Sequence, residues 1–136
     1  MTKKDFKRGQ TVFLVIREHS NAERRIADKN KVDSYIIRGE VKSVGTRYIT
    51  VFAGCETVKF DIDSFIEVTD YGGANYTLHL TRKEAYDKRL GLCLFRKCHD
   101  AFSFQNQKYT VDQLRRILEI IAPEEIASFA EYFQDD

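Results

Sequence analysis

Between Tyr35 and Ile62 the chain reads YIIRGEVKSVGTRYITVFAGCETVKFDI, and its alternation constrains the fold more than any other stretch. A strand sends successive side chains to opposite faces. Tyr35, Ile37, Gly39 and Val41 therefore share one face, and Ile36, Arg38, Glu40 and Lys42 the other. Ser43-Val44-Gly45-Thr46 makes a turn, in which Gly45 would supply a positive φ. Arg47 to Ala53 returns as a strand rich in β-formers. Gly54-Cys55-Glu56 turns again, and Val58, Phe60 and Ile62 alternate with Lys59 and Asp61 in a third strand. Three short strands joined by tight turns make a meander, the seed of a small sheet or barrel.

The flanking chain extends this pattern. Gly9-Gln10-Thr11 leads into Val12 to Ile16, an apolar run short enough for a strand buried on both faces. Ser64 to Val68 reads as another strand, 69–75 as a hairpin loop, and Tyr76 to Leu80 as a last strand with Tyr76, Leu78 and Leu80 inward. That gives about six strands. Residues 17–33 differ: charged and polar, with only Ala22, Ile26, Ala27 and Val32 to bury. So long a connection is usually functional or disordered. Arg24, Arg25, Lys29 and Lys31 make it a candidate partner-binding loop, and the same composition fits a solvated one.

At Thr81 the period changes to that of helices. Thr81-Arg82-Lys83-Glu84 fits a capping box. The helix either passes through Gly91 or stops there and restarts, and Leu92, Phe95, Cys98 and Phe102 share a face. Thr110-Val111-Asp112-Gln113 is a second capping box, followed by the stripe Val111, Leu114, Ile117, Leu118 and Ile121. Pro123 fits the first turn of a last helix, and Glu124 and Glu125 its positive end. Ile126, Phe129, Ala130 and Phe133 form its apolar face. Strands followed by helices imply an α+β fold: a small antiparallel barrel over 1–80 and a C-terminal part of two or three helices over 81–136, packed on the barrel or used for a partner.

A chain of 136 residues with three cysteines and no long apolar run suits a single soluble domain in a reducing compartment, the cytoplasm. The basic N-terminus runs into no signal-like apolar segment. The net charge of +1 hides an asymmetry. Residues 1–60 carry thirteen Lys or Arg against seven acids, and residues 61–136 nine against fourteen. From Glu119 onward there are six acids and no basic residue. A basic β-rich half suits phosphate or an acidic protein surface.

Four groups of residues bear on chemistry. Asp33, Glu40 and Lys42 have the spacing of metal-dependent nucleases, in which two acids hold Mg²⁺ and the lysine assists the attacking water. A charged strand face gives the same pattern. Cys93, Cys98 and His99, with Cys55 and His79, would suit zinc only if the fold gathered them, since positions 93 and 98 diverge on a helix. Asp61, Asp63 and Glu67 form an acidic group, but alternation sets Asp61 beside Lys59 on an exposed face. Tyr48 shares a strand face with Thr50 and Phe52, opposite the core residues Ile49 and Val51. With Arg38, Lys42 and Arg47 near in sequence, Tyr48 would serve a barrel that stacks bases and holds phosphates. No Gly-rich phosphate loop and no cofactor motif is present.

Gly39 to Val51, preceded by Gly9 to Val15, resembles the small SH3-like or KOW-like barrels of bacteriophages and mobile elements of Gram-positive bacteria. The likeness covers Gly9 to Leu90, including Lys59-Phe60-Asp61 and the helix start at Thr81 to Tyr86. It implies an SH3-like barrel working in a bacterial host, with no catalytic residues to carry over. The function expected first is non-enzymatic: inhibition of a host defence nuclease or nucleoprotein complex by protein contact, in the manner of anti-CRISPR proteins. The contacts would be Arg24, Arg25, Lys29 and Lys31 in the loop and Glu124, Glu125, Glu131 and Asp135 at the acidic end. The alternatives are nucleic-acid binding through Arg38, Lys42, Arg47 and Tyr48, and metal-dependent nuclease activity.

Overall fold

The computed structural model describes residues 1–27, 31–70, 72–102 and 108–133. It is an α+β fold. Five strands, β1 (Thr11–Ile16), β2 (Ile36–Val44), β3 (Tyr48–Ala53), β4 (Glu56–Asp61) and β5 (Tyr76–His79), form one antiparallel sheet in the order β4-β3-β2-β1-β5. The sheet curls into a half-barrel. Three helices follow: α1 (Arg82–Ala101), α2 (Val111–Ile121) and α3 (Pro123–Ala127). Two compact units divide the chain, residues 1–96 and 97–136, and the division falls inside α1.

The meander forms as its alternation requires. Gly39 and Val41 are buried while Arg38, Glu40 and Lys42 are exposed, and Ile49 and Val51 are buried opposite an exposed Phe52. Val12, Leu14, Val58, Phe60 and Leu78 complete the core, with Phe6 and Phe65 packed ring against ring at 5.5 Å. Burying one such side chain contributes about 1.5–3 kcal/mol. Gly39 is needed for space. A Cβ there would lie 2.8 Å from Val51 Cγ1 and 3.2 Å from the Phe52 carbonyl oxygen.

Three details depart from the sequence reading. Ser64 to Val68 is not a sixth strand. It makes only single bridges, Glu67 to Phe60 of β4 and Ile66 to Thr77 of β5, so it links the two edges of the sheet without a ladder of its own. Phe65, within it, is buried with φ of 57°, a left-handed conformation that breaks strand geometry. Gly45 does not take a positive φ. A Cβ there would come within 3.3 Å of the Tyr48 carbonyl oxygen, so close approach is what favours glycine. The positive φ falls instead on Gly54, in the two-residue turn between Ala53 and Glu56. Finally, the β2–β3 register slips between Val41 and Ser43, a bulge that leaves both Lys42 and Ser43 exposed.

α1 is continuous through Gly91, which removes the choice of a stop and restart there. Thr81 Oγ1 accepts the Glu84 N–H at 3.1 Å at its start. In the C-terminal unit the Thr110 capping box forms in both directions, with Gln113 N–H donating to Thr110 Oγ1 at 3.2 Å and Thr110 N–H donating to Gln113 Oε1 at 3.0 Å. Pro123 occupies the first turn of α3.

Candidate nucleic-acid interface

The outer face of the sheet carries the charges. β1 contributes Thr11 and Phe13, β2 Arg38, Glu40 and Lys42, and β3 Phe52, with Thr11 opposite Glu40, Phe13 opposite Arg38, and Glu40 opposite Phe52. Together with Arg8 and Gly9, just before β1, most of these line a depression of about 490 Å³. A second depression of about 440 Å³ is lined by Thr11, Phe13, Ile36, Arg38 and Arg82. The two share Thr11 and Arg38, so they form one continuous basic surface. Among the described residues, no carboxylate lies within ion-pair distance of Arg8, Arg38 or Lys42. Phe52 lines the first depression, 48% exposed and the one large apolar strand residue so exposed among those described.

Arg38 and Lys42 are thus brought together, as nucleic-acid binding would need. Tyr48, at the start of β3, lies on the same face as Phe52, and Arg47 immediately precedes the strand. The Tyr48 ring has the Arg47 guanidinium 5.6 Å and the Lys59 ammonium 5.8 Å from its centroid. The sequence reading missed Arg8, Lys59 and Arg82, which only pairing across strands and turns brings to this face. Phe52 was not among the candidates either, although it shares the Tyr48 face and alternates with Val51 and Ala53, both buried.

The charged connection proves to be tied down through its acids. Glu23 is buried, and Arg89 of α1 is fully buried beside it. Arg89 lies 3.7 Å from Glu23 and 3.7 Å from Glu18, with the Tyr35 ring centroid 3.4 Å from its guanidinium carbon. Arg96 reaches Glu18 at 2.7 Å. Burial raises the Tyr35 phenol above its usual range, and Arg89 partly opposes this. Ala85, Arg89, Leu92 and Arg96 recur at helical spacing, and an arginine at a core-facing position of such a stripe was the missed signal for an acidic partner. Arg24, Arg25 and Lys31 are exposed, and Lys29 lies outside the described residues.

The remaining candidates are scattered. Asp33 sits in a short 3-10 turn before β2 and bonds Arg82 at 2.7 Å, while Glu40 and Lys42 lie on the sheet face. Cys55 is in the β3–β4 turn, Cys93 and Cys98 fall in separate units, and His79 pairs with Thr77 at 2.9 Å. Among the described residues no group of three His, Cys, Asp or Glu side chains could hold a metal ion. Asp61 serves its turn: Oδ1 accepts the Asp63 and Ser64 N–H groups at 2.8 and 3.0 Å, and these bonds, Ser64's first, hold its carboxyl below the usual range. Glu67 accepts the Asn75 N–H at 2.7 Å, and burial pushes its carboxyl up. Glu124, Glu125 and Glu131 are exposed, and Asp135 lies outside the described residues.

Among the described residues no helix is long and apolar enough to cross a membrane. No curated protein and no solved structure matches the chain. A family match covers residues 1–126, nearly the whole length, and by it the chain belongs to the phage ProQ C-terminal-like domain family.

Proposed function

We propose that this phage-family domain is a non-enzymatic nucleic-acid-binding module that uses the outer face of its sheet. The observation that carries the reading is the unpaired cationic set Arg8, Arg38 and Lys42 around the exposed Phe52. Phosphate contacts supply affinity and an aromatic supplies a stacking surface, the combination small β-barrels use for nucleic acid. The bridges from Ser64–Val68 to both sheet edges support reading the half-barrel as an SH3-like or KOW-like barrel. The bulge at Lys42 adds Ser43, paired with Thr50, to the outer face beside Lys42.

The test is binding of a labelled oligonucleotide over a salt series. Affinity should fall as salt rises, with a slope of about 0.7–0.9 per phosphate contacted, and Arg38→Gln or Lys42→Gln should each lower that slope by about one contact. No binding at low salt would remove the reading.

A second reading concerns the C-terminal unit and is favoured by one observation: Ile120 and Ile121 of α2 are 81% and 70% exposed, next to the exposed Glu119. An apolar pair with an acidic neighbour suits protein contact. In a phage setting the partner proposed is a host defence nuclease or nucleoprotein complex, inhibited by being bound. Capture from host lysate with the full chain, beside Ile120→Glu, tests it. Recovery of such a complex by the native chain and its loss with the variant is the expected result. Capture of the same proteins by both would end it.

A further inference from the structure

Resting on the nucleic-acid reading above, we infer that the site takes a single strand rather than a duplex, laid along β3 with bases stacked on Phe52 and Tyr48. The two rings lie four residues apart on one face of one strand, which places them about 13 Å apart at roughly 3.3 Å per residue. Thr50, between them, is smaller and leaves the path between the rings low. Each ring has its own cations: Arg8, Arg38 and Lys42 around Phe52, and Arg47 and Lys59 over Tyr48. Cations beside aromatic rings at intervals along a strand match a backbone whose bases are splayed out and stacked one at a time.

A duplex cannot use this surface in the same way. Its bases are stacked on one another and offer only their edges in the grooves, so the face of an exposed phenylalanine finds no partner there. Glu40 sharpens the difference. It lies directly across from Phe52 and lines the same depression, interrupting the cations where a duplex would present a continuous phosphate ridge. A single strand can route its phosphates around that carboxylate. Phe13, half-buried opposite Arg38 in the adjoining depression, extends the apolar floor.

The experiment titrates the full chain, by fluorescence anisotropy at low salt, against a labelled DNA strand of about a dozen nucleotides, an RNA strand of the same sequence, and the matching DNA duplex. Single strands should bind at least about tenfold more tightly than the duplex, and the DNA and RNA arms show whether the sugar is also read. Phe52→Ala should weaken single-strand binding roughly 5- to 150-fold, the span of one lost stacked base, without changing the salt slope. Phe52→Tyr should retain the affinity. Because Phe52 is exposed, the alanine variant should unfold at the same urea concentration as the native chain, which separates lost stacking from lost folding. Duplex bound as tightly as single strands, or Phe52→Ala without effect, overturns the inference while leaving the nucleic-acid reading standing. Absence of binding to all three probes removes both.

Discussion

The two units carry comparable apolar patterns and treat them differently. In residues 1–96 the alternating set is sealed: Val12, Leu14, Ile49, Val51, Phe60 and Leu78 are all fully buried. In residues 97–136 the amphipathic stripe is well formed, yet α2 and α3 contain no buried residue, and Val111 is 70% exposed. The difference lies in what the chain supplies locally. A strand in a meander gets its neighbour within a few residues, so alternation and burial come together. A helix stripe needs a second surface, and its pattern says nothing about where that surface is. The largest test of this contrast is a pair of truncations. Phe60→Ala should cost about 3–5 kcal/mol in urea unfolding. Ile121→Ala, on the stripe and 70% exposed, should stay within about 0.5 kcal/mol of the native chain. Comparable losses would break the comparison, because the stripe would then be covered.

The second test concerns Arg89, which fixes the long connection to α1. Removing it strands Glu23 in a buried position and takes the cation from the Tyr35 ring. Arg89→Met should therefore cost about 3 kcal/mol, near the low end for a broken buried pair, because Glu18 keeps some access to water. Adding Glu23→Gln should restore part of the loss by removing the unpaired charge. If the single change is neutral, the connection is held by something other than this arginine.

These elements also mark what could be read in advance. The meander, both helix starts and the outward face of β2 followed from periodicity and capping chemistry, which act over a few residues. The missing strand did not: Ser64 to Val68 has the right composition, but Asp61 captures the Asp63 and Ser64 N–H groups and Phe65 adopts a left-handed turn. The positions of Arg38, Lys42, Arg47 and Tyr48 around the proposed interface were legible because they sit on strands of known alternation or beside them. Arg8 and Arg82 were not, since they reach the face from outside the sheet. In the connection at 17–33 the basic residues are the conspicuous ones, while its acids Glu18 and Glu23 make contacts with arginines more than sixty residues away, which no local pattern announces.

A smaller effect is expected at Gly39. A methyl group there meets Val51 and Leu14 side chains and the Phe52 carbonyl, and that backbone cannot move without shifting the ring of the proposed site. Gly39→Ala should cost about 1–3 kcal/mol by overpacking. It should also weaken oligonucleotide binding, whereas Gly91→Ala, open within α1, should be neutral or slightly stabilising. Equal effects at the two glycines would mean that the sheet tolerates what its packing forbids.

The smallest effect is one of pH and belongs to the sheet unit. His79 sits on β5 with its ring against Thr77. Burial holds its pKa below the ordinary imidazole value of 6.5; Lys88 acts in the same direction and Glu84 against it. A folded value below the unfolded one means that the unfolded chain takes up the proton first as pH falls. Stability from this group is therefore complete above about 6.5 and is lost as pH falls through the folded value. The urea midpoint should decline between pH 7.5 and 5.5, and His79→Gln, which keeps a polar group facing Thr77, should flatten that decline. An unchanged slope would place the titration elsewhere and would show that this edge of the sheet, unlike its core, is open to water.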